Sequence, residues 1–264
     1  LGGTTIEAWL PRHALENTLS LLEYLKAQGR YLPTDEMNTL ENRNYTQLTG
    51  LFNERIAPLR GIKFRGVAWL QGESSAGGEA EAAYYRLALS VMIRAWREWL
   101  GSELPFLVMH IASENYQFSP LAVPHLNEAI SLAVAETENA WEIPVYDLPL
   151  DWLIQNTTAG HPIHPSRKAP YGKRLAAVAL RAVYREEADL LAPRLENAAF
   201  EGGKAVLRFS SVGEGLLCKG KRLRGFTLCG KNGIHLEADA EIISPNTIEV
   251  SHPAVFQAAG ISYA

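Results

Sequence analysis

The chain predicts an α/β fold: a parallel sheet covered by helices on both faces, followed by a smaller β-rich domain. Three observations carry this. Short apolar runs alternate with long helical patterns through the first three quarters of the chain. The run ending at Trp69 stops in a polar, glycine-containing corner, Leu70-Gln71-Gly72-Glu73-Ser74, as expected at the carboxyl end of a strand where ligands bind in open α/β sheets. After Leu190 the character changes to short β patterns punctuated by Gly213, Gly215, Gly220, Gly225, Gly230 and Gly233. The boundary falls near Ala192-Pro193, giving domains 1–192 and 193–264.

Leu15, Leu19, Leu22 and Leu25 recur at helical spacing over 14–28, with Gly29 as the stop. The polar stretch 33–46 reads as loop or short helix, and 51–59 as a short helix. Phe64 to Leu70 is terse and apolar, as a strand buried on both faces should be. From Glu79 to Trp99, the residues Ala80, Ala83, Tyr84, Leu87, Val91, Ala95 and Trp99 make one stripe of an amphipathic helix. Strands follow at 104–111 and 143–147, separated by a helix over 121–136 that holds Pro124 in its first turn. A last helix spans 166–185 with Leu175, Val178, Ala179 and Val183 inward. In the β-rich part, 205–209, 242–243 and 247–250 read as strands, and Asn232-Gly233 as a tight turn.

Composition narrows the function classes. Hydrophobic residues make up 47% of the 264 and charged residues 20%, the balance of a globular protein. A net charge of −4 leaves no basic footprint for nucleic acid. No apolar run reaches the ~18 residues a membrane-spanning helix needs, so no membrane partner is expected. Cys218 and Cys229 are the two cysteines, open to a strand-bridging disulfide or to ordinary thiols.

Two loop clusters hold the candidate chemistry. In Ile163-His164-Pro165-Ser166, prolines on both sides fix an extended backbone, and His164 is placed for general-base work between strand–loop and helix. A surface-loop histidine, or a metal pair with His161, are the competing readings. In the earlier corner, the Gln71 amide could donate to a developing oxyanion or simply bond a loop. Glu73 could orient a partner, cap the following helix, or pair with Arg174 or Lys168. Ser74 has the outline of a nucleophile elbow, but Ala76 stands where the second glycine is required, and a serine at a helix N-terminus fits as well. Gly2 and Gly3 open the chain and would let a backbone N–H point into a site. Trp69, Tyr84, Trp96 and Trp99 fall mostly at core spacing rather than as sugar platforms.

Taken in order, Gly2-Gly3-Thr4-Thr5-Ile6-Glu7-Ala8-Trp9, Phe52-Asn53-Glu54-Arg55-Ile56-Ala57-Pro58-Leu59, Gly66 to Ser74, Leu104 to Leu107, and Ile163 to Ala176 resemble motifs of the sialate O-acetylesterases of the SGNH (GDSL) hydrolase superfamily. The resemblance implies a three-layer α/β/α, flavodoxin-like hydrolase that removes O-acetyl groups from sugars, typically sialic acid, without metal or organic cofactor. It implies a Ser/His mechanism with His164 as base, and Gln71 with a backbone N–H of Gly2 or Gly3 as oxyanion donors. Asp147 or Asp151 would orient His164, or the site would work as a Ser/His dyad, since His161-Pro162 stands where the family's acid is expected. Glu73, Ser74, His161 and Gly2 would line the substrate site. The family's nucleophile lies in a GQSN-like segment upstream of Gly-Gly-Thr, and no such segment occurs in the 264 residues. The nucleophile, and with it the first strand, is therefore expected on an upstream segment or chain. An extracellular or periplasmic location goes with the family. The alternatives are a sugar-binding homologue without chemistry and a hydrolase using Ser74.

Overall fold

The computed structural model describes residues 3–34, 47–112, 121–145, 148, 167–186, 192–218 and 220–263. Chain contacts divide it into two compact units, Leu1–Glu186 and Glu187–Ala264. The first is mixed α/β. Its strands β1 (Val67–Trp69), β2 (Phe106–Met109) and β3 (Ala140–Ile143) form a parallel sheet in that order, with Val67 opposite Phe106 and Phe106 opposite Ala140.

Helices α1 (Arg12–Glu16) and α2 (Leu19–Ala27) replace the single helix expected over 14–28. The break sits at Thr18, whose hydroxyl donates to the Ala14 carbonyl at 2.8 Å while its own carbonyl receives the Leu21 and Leu22 N–H groups. Side-chain bonding of this kind competes with the helical ladder. Beyond Gly29, the Arg30 N–H turns back to the Leu25 carbonyl at 2.8 Å and closes α2. The expected helix over 51–59 is a wide turn, Phe52–Ile56, followed by a tight one, Ala57–Leu59.

Among the described strands only β2 is buried along its whole length. β1 is not a strand covered on both faces: Trp69 points into the core, whereas Ala68 and Leu70 are exposed. Among the described residues β1 lies at the sheet edge, so its apolar run reflects one buried face. The third strand runs from Ala140, three residues ahead of the expected start. The Phe106 N–H takes the Asn139 carbonyl at 3.1 Å, so pairing begins before the apolar Ile143. Asp147, placed at that strand's end by the sequence, lies outside the described residues, as does most of 33–46.

Helix α3 (Glu79–Leu100) is buried over a much broader arc than its predicted stripe. Ala80 and Ala83 are exposed, while Tyr85, Ala88, Leu89, Met92 and Ile93 are buried. The cause is packing on several sides, against α1, α2, the turn Ile6–Trp9 and α4 (Ala122–Ala135). On α4 the predicted Leu126, Ile130, Ala133 and Val134 are all buried. α5 (Ala169–Ala179) rests on β2 and β3, with Tyr171, Ala177 and Val178 buried and Leu175 and Ala179 half-buried, then widens into the turn Leu180–Tyr184. Trp69, Tyr84 and Trp96 are core residues, with Trp69 meeting Trp9 and Trp96 edge-on at 5.5 and 5.6 Å.

The second unit holds two antiparallel sheets. One has the order β4 (Arg194–Glu201), β5 (Lys204–Ser210), β9 (Thr247–Ser251), β8 (Asp239–Ser244). The other has the order β10 (Gly260–Tyr263), β6 (Phe226–Cys229), β7 (Leu236–Glu237). Ala205, Leu207, Leu228, Ile248 and Val250 form their common core. The expected turn at Asn232-Gly233 joins β6 to β7, with the Gly233 N–H on the Gly230 carbonyl at 3.0 Å. Cys218 and Cys229 are both free thiols, the first exposed and the second buried, so no disulfide joins them. Burial pushes the Cys229 thiol up, away from its reactive thiolate. A maleimide mass-shift experiment on the native protein is expected to label Cys218 readily and Cys229 only after unfolding.

Candidate functional site

The corner after β1 is built around Gly72. Its φ of 151° and ψ of −14° lie where a side chain is not tolerated. That backbone reversal turns the chain from Gln71 into a 3₁₀ turn, Glu73–Ser75, with the Ser75 N–H on the Gly72 carbonyl at 2.7 Å. Tyr85 on α3 locks the corner from below. Its hydroxyl donates to the Gln71 carbonyl at 2.7 Å and accepts from Trp69 Nε1 at 3.2 Å, wholly buried.

The amino-terminal segment is pinned to this corner. Gln71 Nε2 donates to the Thr4 carbonyl at 2.7 Å, and Ser74 Oγ donates to the same oxygen at 3.3 Å. Trp9 Nε1 holds the Thr4 hydroxyl at 3.1 Å. Gly3, exposed and at φ 67°, makes the left-handed turn that leads into this hub. Gly3, Gln71, Glu73 and Ser74 are thus brought together from opposite ends of a long stretch of sequence.

Because the Thr4 carbonyl can only accept, the Gln71 amide has one orientation: nitrogen towards Thr4, Oε1 away. One of its two N–H protons is committed to Thr4, and the second meets no acceptor among the described residues. Oε1 is buried with no hydrogen-bond partner among the described residues. This is the loop bond weighed from the sequence, and it still leaves a donor over.

The remaining expectations divide plainly. His164, His161, Asp147 and Gly2 lie outside the described residues. Glu73 is half-buried and makes no salt bridge to Arg174 or Lys168. Arg174 donates instead to the Pro144 carbonyl at 2.8 Å, fastening α5 to the end of β3. Neither Glu73 nor Ser74 caps α3, which starts at Glu79 behind Gly78 with no side-chain cap. Ser74 is exposed, and among the described residues its hydroxyl donates to the Thr4 carbonyl.

Several residues in or beside the corner escaped the sequence reading. Thr4, Tyr85 and Asn127 act through backbone carbonyls or amides. Fully buried Asn127 bonds both the Ile111 N–H, at 3.0 Å, and the Ile111 carbonyl, at 3.1 Å, and so fixes the chain where it leaves β2. His110 is also buried at this strand end. Its Nε2 lies 3.2 Å from Ser131 Oγ and 3.4 Å from Glu142 Oε2. The imidazole is sealed from solvent, and these contacts tie β2, β3 and α4 together. Among the described residues no three His, Cys, Asp or Glu side chains gather as metal ligands, and no helix is long and apolar enough to cross a membrane.

Fold and corner define an α/β protein with its polar loops gathered at a strand's carboxyl end. The family model for carbohydrate esterases described as sialic acid-specific acetylesterases matches residues 1–151, and the chain belongs to that family. A crystal structure of a carbohydrate acetylesterase from Xanthomonas citri is similar at 29% identity and a TM-score of 0.72, over 99% of this chain and 54% of that one. The chain spans about half the length of that relative. No curated protein matches it.

Proposed function

We propose that the full-length protein is a sugar O-acetylesterase of the SGNH type, with a three-layer α/β/α catalytic domain and O-acetylated sialic acid as its substrate. The observation that carries this is the Gln71–Thr4 bond. It brings the Gln71 amide to the backbone of the residue that follows Gly3, at the end of β1, which supports an oxyanion site built from that amide and the Gly3 N–H. In this reading a serine attacks the acetyl carbonyl and passes its proton to His164. His164 returns the proton to the departing sugar oxygen, and water then releases acetate from the serine. Asp147 orients the imidazole, and Gln71 with the N–H of Gly3 receives the oxyanion. Glu73, Ser74, His161 and Gly2 line the sugar side. The serine belongs to a segment or chain outside residues 1–264, because no Gly-Gln-Ser-Asn motif occurs within them. The family's character goes with an extracellular or periplasmic setting.

The test is acetate release from O-acetylated sialic acid by the full-length protein, alongside its Ser74→Ala variant. The variant is expected to keep kcat within about twofold, since the bond it loses is one weak contact to a carbonyl that Gln71 still holds, and its place on the sugar side is read in KM. Complete loss in the variant would make Ser74 the nucleophile. Sugar binding without acetate release by the wild type would make the protein a lectin-like homologue.

A further inference from the structure

Beside the Gly3–Thr4 hub stands a charged cluster with no part in the chemistry so far. Glu7 is 4% exposed in the turn Ile6–Trp9. Its Oε1 lies 3.3 Å from Arg30 Nη2, and its Oε2 accepts from the Tyr84 hydroxyl at 3.4 Å. Arg30 Nη1 donates to Glu81 Oε1 at 2.9 Å, and the guanidinium lies over the Tyr24 and Tyr84 rings, themselves stacked at 4.6 Å. The Glu7 carbonyl receives the Thr49 N–H at 3.0 Å. One short turn is therefore gripped by α2's end, by α3 and by the segment at Thr49. Within that turn Trp9 holds the Thr4 hydroxyl.

We propose that Glu7 is a positioning residue of the esterase site: gripped by Arg30 and Tyr84, it fixes the turn Ile6–Trp9 and thereby sets the Gly3–Thr4 backbone against Gln71. This rests on the sugar-esterase reading above. A purely stabilising role is a poor account of the cluster. One guanidinium serves two carboxylates, and taking a carboxylate out of water costs several kcal/mol by the general estimate for buried ions, which imperfect pairing does not return. Burial indeed outweighs Arg30 and holds the Glu7 carboxyl above its ordinary range, with Glu81 pushing the same way, whereas both carboxylates raise Arg30. In the pH window between Glu7's ordinary and raised values the folded state keeps its proton longer than the unfolded one. Folding stability contributed by this group therefore falls as pH rises through that window. What the ionised side chain supplies is geometry.

The experiment is Glu7→Gln in the full-length protein, with Arg30→Lys as a second variant. The readouts are kcat and KM for nitrophenyl acetate, pH profiles and the melting temperature. Glutamine keeps the shape and removes the charge that Arg30 grips. The expected result is kcat lower by on the order of ten- to a hundredfold with KM within about twofold, as a small misplacement of an oxyanion donor demands. The melting temperature at neutral pH stays equal or rises. Both proteins lose kcat as pH falls and the proposed base His164 takes up its proton; the wild type falls more steeply because Glu7 is protonated as well, and the variant lacks that added limb. Arg30→Lys keeps the charge without the fork and loses kcat in the same direction. Unchanged kcat in an active background would overturn the positioning role alone. A fall in kcat tracked by an equal fall in melting temperature would replace it with a structural one. No acetate release by the wild type would sink the esterase reading and this inference with it.

Discussion

On the proposed reading, His164→Ala in the full-length protein is expected to lower acetyl-ester hydrolysis by on the order of 10²- to 10⁴-fold, the range a positioned general base contributes. The expectation follows from the sequence environment of the imidazole. Pro162 and Pro165 restrict the backbone on both sides, and the residues that follow lead into α5, which begins at Ala169 and is anchored by Arg174 on the Pro144 carbonyl. In the proposed reading a base at this position acts on the serine proton without altering how the sugar binds, so the loss is expected on kcat with little change in KM. Steady-state kinetics on O-acetylated sialic acid and on nitrophenyl acetate check both halves. Turnover retained within about threefold would remove His164 from the reaction, since a bystander loop histidine costs no more than that.

How far the site could be read in advance depends on the kind of contact each residue makes. Gln71 was legible because a polar residue closing an apolar run sits where α/β sheets place their ligands. Thr4 and Tyr85 were not, although they hold Gln71 in place. Thr4 offers its carbonyl, which every residue possesses, and Tyr85 looks like any aromatic of a helix core. The pairing of Thr4 with Gln71 joins residues far apart in sequence, and periodicity carries no information at that separation. The Glu7 cluster was hidden for a related reason. A glutamate in a short turn reads as a surface charge until α2 and α3 are packed around it.

The fold shows the same division. The existence of α3 and α4 followed from long periodic patterns, the most dependable signal a sequence has. The buried arc of α3 did not, because a stripe predicts one partner face and this helix has several. β3 was displaced because Trp141 and Glu142 are half-buried on an edge, and the apolar run drew attention downstream to Ile143 and Val145. The exposed face of β1 was likewise invisible in a run of uniformly apolar residues. In the second unit the mostly exposed β4 offered no alternation to read, whereas the Asn232-Gly233 turn between β6 and β7 did.

Gly72→Ala is expected to damage stability and activity together, and the reasons are separable. At φ 151° an alanine occupies backbone space reserved for glycine, a strain of about 1–3 kcal/mol. Its Cβ would also stand 3.1 Å from Leu126 Cδ2, 3.4 Å from Ile111 Cγ2 and 3.5 Å from Tyr85 Cζ. Leu126, Ile111 and Tyr85 are fully buried, so they have little room to withdraw, and overpacking of this kind costs about another 1–3 kcal/mol. The chain would relieve both by rotating the Gln71–Gly72 peptide. That rotation pulls the Gln71 carbonyl off the Tyr85 hydroxyl and the side-chain amide off Thr4, the contacts that hold the proposed oxyanion donor. Urea unfolding should therefore show the first unit weakened by about 2–6 kcal/mol, the sum of those two ranges. Whatever protein remains folded should hydrolyse acetyl esters at least about tenfold more slowly, because donor geometry is lost along with the corner. A variant that unfolds within 1 kcal/mol of wild type and keeps full turnover would show that the corner tolerates a side chain, and that the backbone reversal at Gly72 does not set the site.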